Sequence, residues 1–480
     1  MKPLLLTLRE MERITGGRWR GLPEHGLEIS GINFYLPYVS PGDLFVRRQL
    51  DGATDNAAEV AVDRAFRRGA VAALVRKGSV RGDGRPLLEV ADPDKALQDM
   101  AAGASLKFDG TRVLVTGSHG KTGFKNQLFH LIRKQIDTHA YLGSANKEIP
   151  ILRALASLPQ GVDVTIIEVA VPARNIGQDR ASYIRPDYCV ITGIAPEHLR
   201  SHKTMEDLIR NKAGVVAGLR PGGRCLLNGD DSHFPQLREA VRDLSTYPIL
   251  IYGSASTCDG RLIDAVFEDL HWHVRAEILG ERIEYDLPLL ERYAPLASVG
   301  VLLQAKLLGA DVAACVGEYA DYRNFESSGN LYRVPVGRGA VLVYDQTQRG
   351  ELKGFESTFE LMSRLHPQQG GRKIAVLSEF INLEDNPGFQ IDIEKMRALM
   401  ASAGIDLLFT VNEFERYAEA VPAGVDWRKH GKSHEDIRES LLACVQAKDM
   451  VFLRGVLASQ LGKLTKALLD MGSAAAKKLY

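Results

Sequence analysis

The chain has 480 residues, with 60 Lys plus Arg balanced by 60 Asp plus Glu and 45% apolar residues. A formal net charge of zero offers no field for nucleic acid or an anionic membrane, and no apolar run approaches the roughly 20 residues of a spanning helix. At about 100–200 residues per domain the length predicts two to four domains, while five scattered cysteines (Cys189, Cys225, Cys258, Cys315 and Cys444) with no CxxC pair predict reduced thiols in a cytoplasmic protein.

The first residues, MKPLLLTLREMER, turn charged too soon for a signal peptide. After them, short apolar runs alternate with helical spacing. Pro41-Gly42-Asp43 is a turn feeding Leu44 to Val46, Ala57 to Arg68 has a helical pattern that stops at Gly69, and Val71 to Val75 and Leu87 to Val90 read as strands. This predicts a small α/β domain over residues 1–108, closed by the turn dipeptide Asp109-Gly110.

The stretch RVLVTGSHGKTGFK, Arg112 to Lys125, organises the central part of the chain. Val113 to Val115 is a short buried strand, Gly117-Ser118-His119-Gly120-Lys121-Thr122 a tight turn, and the residues from Phe124 on, with Leu128, Phe129, Leu131 and Ile132, a helix. A strand that delivers a Gly-rich turn to a helix N-terminus aims backbone N–H groups and the positive end of the helix dipole at one spot, which suits a polyphosphate. Lys121 would add a point charge and the Thr122 hydroxyl a ligand for Mg²⁺. Val115 stands where the GxxxxGK[ST] pattern has its first glycine, so this string alone leaves an ordinary β-α turn open.

Three nearly apolar strands come next, Val164 to Glu168, Tyr188 to Thr192 and Arg224 to Leu227, as expected of a parallel sheet covered on both faces. Ligands of such sheets bind at the carboxyl ends of the strands. The phosphate turn, Glu168, and His198 in the loop Gly193 to His198 therefore share one edge. Singly, Glu168 reads as a solvated edge residue and His198 as a structural histidine; their joint order points to a metal-phosphate site. Thr204-Met205-Glu206-Asp207 is a helix start signal, and the helix carries Lys212 among Leu208, Ile209, Val215 and Val216. A lysine there either snorkels to the surface or needs a partner or the loss of its charge. His198 and His202 stand four apart, but no HExxH glutamate lies between them. Residues 246–288 are strand-like, and Leu290 to Leu308 is an apolar helix. The central segment spans 109–336.

In the third segment, 337–480, Val341 to Tyr344, Ile374 to Leu377, Leu407 to Val411 and Met450 to Leu453 are strands separated by helices, again a doubly wound pattern. The end, KLTKALLDMGSAAAKKLY, reads as a surface helix and a fraying tail.

TGSHGKT, Glu168, ITGIAPEHL, Lys212 fourteen positions after His198, and LLNGDD at 226–231 resemble the Mur ligase family of ATP-dependent amide-forming enzymes, above all the members that add the third residue or terminal dipeptide to the peptidoglycan stem. PGDLFV at 41–46, Asp51-Gly52, RRGAVAALV at 67–75 and Ser144 to Pro150 extend the likeness over most of the chain. The resemblance implies three α/β domains: an N-terminal substrate domain, a central P-loop ATPase domain with a mostly parallel sheet, and a C-terminal Rossmann-like domain that closes over the site. It implies ATP and two Mg²⁺ ions. Gly117, Ser118, His119, Gly120, Lys121 and Thr122 would bind phosphate, Thr122, Glu168 and His198 metal, and Lys212, carbamylated, the second metal. Asn228 would meet adenine and Asp345 would lie near the nucleotide. Lys121, Glu168, His198 and Lys212 would be the catalytic set, and an acyl phosphate would link carboxylate to amine.

Departures from the family pattern sit at Gly123, at Tyr35-Leu36-Pro37 in place of DSR, at Gly329-Asn330 in place of a Gly-Arg pair (with Arg323 and Arg333 nearby), at Gln348, and at Arg454 to Leu457. Because they fall where substrates bind, they predict a small-molecule carboxylate and amine other than the standard cell-wall precursor. A true peptidoglycan ligase and a non-catalytic nucleotide-binding scaffold are the alternatives. A monomer without nucleic-acid or membrane partners is expected.

Overall fold

The structure, a computed structural model, describes residues 2–48, 55–81, 83–141, 148–171, 175–196, 202–324, 327–348, 352–379, 392–472 and 476–479. It is a mixed α/β fold with three sheets, and the chain divides into two compact units. The first comprises Met1–Ala195, Glu206–Ile251 and Gln304–Asp311, the second the remainder.

The first unit opens with α1 (Leu8–Thr15), β1 (Arg18–Arg20), β2 (Gly31–Asn33), β3 (Asp43–Val46), α2 (Asp55–Arg67), β4 (Ala72–Arg76), β5 (Leu87–Val90) and α3 (Pro93–Lys107). The sheet runs β1-β5-β4-β3-β2, antiparallel only at β1. A capping box starts α1: Thr7 accepts from Glu10 N while the Glu10 carboxylate accepts from Thr7 N. Val39, Phe45, Val62, Ala65, Ala73, Val75 and Leu87 form its core.

The same unit continues through β6 (Thr111–Thr116), α4 (Lys121–Ile132), β7 (Thr138–Ala140), α5 (Glu148–Ala156), β8 (Val164–Glu168), α6 (Ile176–Ile184), β9 (Tyr188–Ile191), α7 (Met205–Ala213, all but its first residue), β10 (Arg224–Asn228), α8 (Phe234–Leu244) and the first three residues of β11 (Ile249–Gly253). The strands lie in the order β10-β9-β6-β8-β7, all parallel. β6 is thus flanked by β8 and β9, and its carboxyl end is where neighbouring strand ends converge. The chain's start is tied to this sheet's far edge, with Leu5 N donating to Leu158 O at 2.7 Å and Gln160 N to Pro3 O at 2.9 Å. The helix after the phosphate turn starts at Lys121, three residues before the apolar pattern announces it, because turn residues without apolar periodicity still take helical dihedrals.

The second unit holds β12 (Gly260–Glu268), β13 (His271–Ile278) and β14 (Glu281–Leu287), an antiparallel meander, then α9 (Ala294–Leu307), whose last turn falls in the first unit, and α10 (Val312–Glu318). Its other sheet contains β15 (Asn330–Val336), β16 (Gly339–Gln346), β17 (Lys373–Leu377), β18 (Leu407–Val411), β19 (Asp426–Gly431), β20 (Met450–Arg454) and β21 (Lys477–Lys478), with α11 (Leu352–Arg364), α12 (Ile393–Ala403), α13 (His434–Cys444) and α14 (Gly462–Met471). The order is β19-β18-β17-β20-β16-β15-β21. Phe355, Phe359, Met362, Met396, Met400 and Phe414 cover one face, and Ile437, Leu441, Leu461, Leu464 and Leu468 the other.

The reading of the end as a surface helix and frayed tail is corrected here. Leu464 and Leu468 on α14 are fully buried, and β21 pairs antiparallel with β15 through Lys478 opposite Tyr332. The apolar stripe Leu461, Leu464, Leu468 is spaced three and four apart; lysines around it mask the stripe in a compositional reading. Leu468→Ala should cost about 2–5 kcal/mol, measured by denaturant unfolding, whereas a surface helix would lose almost nothing.

Candidate functional site

The site in the first unit is built by three strand ends. Val115 of β6 lies in register with Glu168 of β8 and Val190 of β9, so the turn after β6 emerges beside the Glu168 carboxylate and the loop after β9. Gly117, at φ 142°, has no room for a side chain, since a Cβ would sit 2.3 Å from Thr192 Oγ1. Gly120, at φ 78°, caps α4 in the left-handed region that glycine adopts without strain. The Thr192 hydroxyl bonds the His119 carbonyl and Thr116 O. Ser118 N donates to Gly193 O at 2.8 Å and Ser118 Oγ to Ala195 O at 2.9 Å. The turn is therefore clamped to the β9 loop.

Lys121 is buried at the first position of α4 and its Nζ donates to Gly117 O at 2.7 Å and Ser118 O at 3.2 Å, curling over the turn. Thr122 Oγ1 donates to Glu168 Oε1 at 2.9 Å. Lys125 Nζ stands 3.1 Å from Glu168 Oε2, with both side chains at most 2% exposed. Lys125 is not among the candidates that the sequence suggests. The available signal is its spacing: one helical turn beyond Lys121, it lies on the same face of α4.

Lys212 is 1% exposed in the last turn of α7. Its neighbour Asn211 accepts from Asn175 N at 2.6 Å, and Gly177 passes so near that a Cβ would meet Asn211 O at 2.3 Å. The end of α7 is thus fixed to the segment that leaves β8. Burial of Lys212 rejects the snorkelling alternative. His198 lies outside the described residues, as do Asp51-Gly52 and Ser144 to Lys147.

Asn228, ending β10, donates to Thr192 O at 3.4 Å and accepts from Asp230 N at 3.0 Å. Asp231 holds Ile194 N at 2.8 Å and His233 N at 2.9 Å. The sequence places Asp231 within LLNGDD but carries no sign of this bracing role, because backbone contacts to a distant loop leave no local pattern.

In the second unit Asp345 is buried at the end of β16 and accepts from Ser327 Oγ at 2.9 Å and Thr347 Oγ1 at 2.8 Å. Burial pushes its carboxyl above the ordinary aspartate range despite these bonds. Arg454, 1% exposed, ends β20 beside Gln346 of β16 and Leu377 of β17. Glu291, also buried, accepts from the Tyr344 hydroxyl at 3.1 Å, and its pKa is raised by burial. Arg323 donates to Ala320 O and Tyr322 O, while Arg333 is exposed on β15.

Away from the phosphate turn, a cavity of about 340 Å³ is lined by Gly31, Asn33, Asp43, His139, Tyr141 and Arg153 among others. Arg153 Nη1 donates to Asn33 Oδ1 at 2.8 Å, Asn33 Nδ2 to Asp43 Oδ2 at 2.6 Å, and the Arg153 guanidinium lies 3.7 Å over Tyr141. Burial, helped by Arg153, pulls the His139 imidazole down to about 4, so it is neutral at neutral pH.

Residues 115–293 match the family described as the Mur ligase middle domain. That stretch is a Mur ligase middle domain. The chain is similar to the UDP-N-acetylmuramoyl-tripeptide--D-alanyl-D-alanine ligase of Rickettsia prowazekii (strain Madrid E), at 21% identity over 92% of this chain and 96% of the relative. It is 19% identical to the enzyme so named from Escherichia coli (strain K12), over 98% and 99%. Among solved structures, MurF from Acinetobacter baumannii aligns with a TM-score of 0.76 at 18% identity, covering 98% of this chain and all of that one. The MurF ligase from Thermotoga maritima in complex with ADP aligns with a TM-score of 0.71 at 20% identity, over 92% and 97%. These likenesses establish the fold of the chain.

Thr122 and Glu168 bring hard oxygen ligands of the kind Mg²⁺ takes to one point, and the glycine-bearing turn leaves backbone room for phosphate beside Lys121, so the residues fit ATP with Mg²⁺. Lys125→Met, which removes the buried counter-charge of Glu168, should lower stability by about 3–5 kcal/mol, read by urea unfolding; a loss under about 1 kcal/mol, the scale of an exposed pair, would make the pair unimportant. For Asp345 the raised pKa means that the protonated form is favoured by folding. The resulting stabilisation is complete below the ordinary value of 3.8 and is lost as pH rises through the higher folded value. Asp345→Asn should therefore stabilise the protein at neutral pH, by a margin that shrinks on acidification, as thermal unfolding across pH would show.

Proposed function

We propose that the chain is an ATP-dependent, ADP-forming carboxylate-amine ligase acting on a peptidoglycan precursor, with a UDP-N-acetylmuramoyl-tripeptide as the acid and D-alanyl-D-alanine as the amine. The observation that carries the ligase chemistry is the junction of Lys121, Thr122 and Glu168 at the carboxyl edge of β6 and β8. The substrate class is supported by the extent of the likeness: 96% of the Rickettsia relative's length and 92% of this chain are covered. That end-to-end coverage favours the precursor over the non-standard substrate that the departures suggested.

When bound, ATP with Mg²⁺ supplies the phosphoryl group that activates the carboxylate, and the cations neutralise the charge that develops. The chain's own residues do the positioning. Lys121 exchanges Gly117 O and Ser118 O for phosphate oxygens. Thr122 and Glu168 would hold one cation, and Lys125 sets the orientation of the Glu168 carboxylate. Lys212, buried on α7, would be a ligand for a second cation if its ammonium gives up a proton to solvent, the neutral amine adds CO₂ and a second proton leaves, so that the side chain carries a carbamate in place of a positive charge. By the sequence resemblance, His198 would be a further metal ligand, Asn228 would meet adenine and Asp345 would be a nucleotide residue.

Phosphate release measured with a panel of acids and amines, with products identified by mass spectrometry, tests this. Turnover is expected only when UDP-N-acetylmuramoyl-tripeptide and D-alanyl-D-alanine are both present. Efficient turnover with an unrelated pair would reinstate the non-standard substrate, and nucleotide binding without any turnover would favour the scaffold. Lys121→Ala should lower kcat by at least ~100-fold, the scale of a lost preorganised charge contact. If Lys212→Ala keeps full activity and added bicarbonate leaves the parent unchanged, the carbamate is excluded.

A further inference from the structure

His271 and His273 stand two apart on β13, so both project from the same face of the strand. Trp272 between them is buried, packed 5.0 Å from the Phe267 ring and 5.0 Å beneath the Arg364 guanidinium. That anchor pins the strand and holds both imidazoles on the solvent side, with ring centroids 4.5 Å apart. Asp286 of β14 is the register partner of His273, and Glu268 of β12 that of His271. Among the described residues, His271, His273 and Asp286 each offer a ligand atom within 4.8 Å of the other two.

The hydrogen bonds select the tautomers. His271 Nδ1 lies 3.0 Å from the Asp269 carbonyl, which can only accept, so this nitrogen carries the proton. His273 Nδ1 lies 2.6 Å from Asp286 Oδ1, so a cation entering there would displace the proton they share and take both atoms as ligands. His271 keeps its Nε2 lone pair for the same ion. A carbonyl on the far nitrogen of a histidine is the arrangement that orients a metal-bound imidazole and raises its basicity. Tetrahedral Zn²⁺, with bonds of about 2.0–2.1 Å, would draw the ligand atoms closer than they stand, which exposed side chains allow by small rotations.

We propose that His271, His273 and Asp286 form a surface site for a divalent transition metal of the Zn²⁺ class, with Glu268 or water completing the shell. Imidazole ligands favour Zn²⁺, Ni²⁺ or Cu²⁺ over the hard, oxygen-seeking Mg²⁺, so the site is chemically distinct from the phosphate turn and does not compete for its cation. A bound ion would bridge β13 and β14.

Titration of the full chain with Zn²⁺ against a chromophoric chelator, in buffer containing excess Mg²⁺, tests the site. One Zn²⁺ per chain is expected, lost in the His271→Ala/His273→Ala double variant and weakened about 10-fold by Asp286→Asn. A Cys258→Ser/Cys444→Ser variant should bind as the parent does. X-ray absorption of the Zn²⁺-loaded protein should show imidazole nitrogen and oxygen neighbours. Unchanged stoichiometry in the double histidine variant, sulfur in the shell, or failure of the parent to bind Zn²⁺ would each overturn the proposal. All the substituted side chains of the site lie on the solvent face, so thermal unfolding of the metal-free variants should match the parent.

Discussion

The Glu168 carboxylate is a charge with almost no access to water, and the phosphate-turn region is arranged around keeping it satisfied. Thr122 serves one oxygen and Lys125 the other, both from the first two turns of α4. An isolated carboxylate in such a place would cost several kcal/mol, so α4 must begin where it does and face β8 as it does. The same demand sets the register of β6 with β8, since a slip of one residue would turn Glu168 away from α4. The same geometry that satisfies the charge leaves Lys121 over the turn, so a structural requirement and the proposed phosphate site coincide.

The clamp on the other side is made of neutral groups. Thr192 and Gly193 tie the loop after β9 to the turn, and Asn228 and Asp231 brace that loop. Gly117 and Gly193 allow these segments to approach: a Cβ on Gly193 would meet the His119 ring at 2.4 Å. Backbone groups held this way cost nothing to reorganise when an anion arrives, which is the usual source of electrostatic advantage in phosphoryl transfer. Lys212 is different in kind. It is buried at the end of a helix, and the bond from Asn175 N to Asn211 fixes that end.

The second unit carries further demands of the same sort. Asp345, Glu291 and Arg454 are buried ionisable groups, with Asp345 and Arg454 at the carboxyl ends of β16 and β20 and Glu291 bonded to Tyr344 of β16. Burial raises the pKa of both carboxyls, and a fold that keeps such groups gives up stability for chemistry or specificity. The histidine pair on β13 shows the opposite economy: exposed rings on a rigid strand, oriented by a carbonyl and a carboxylate.

Much of the fold is legible in the chain. The apolar runs mark β5, β8 and β18 to the residue, and the turn followed by Glu168 identifies one sheet edge, because parallel strands buried on both faces are nearly all apolar and a charged residue at their end is conspicuous. Short edge strands such as β7, β19 and β21 are not legible, since two to six residues of mixed polarity carry no period. The stripe on α14 is hidden among lysines. What the sequence determined alone was the chemistry on offer: a lysine, a hydroxyl and a carboxylate in a fixed order along an α/β chain. Only the tertiary structure decided that Lys125 neutralises Glu168, that Asp231 braces the β9 loop, and that His271, His273 and Asp286 converge. Each is a contact between segments whose meeting depends on strand register and packing, and no local pattern encodes that.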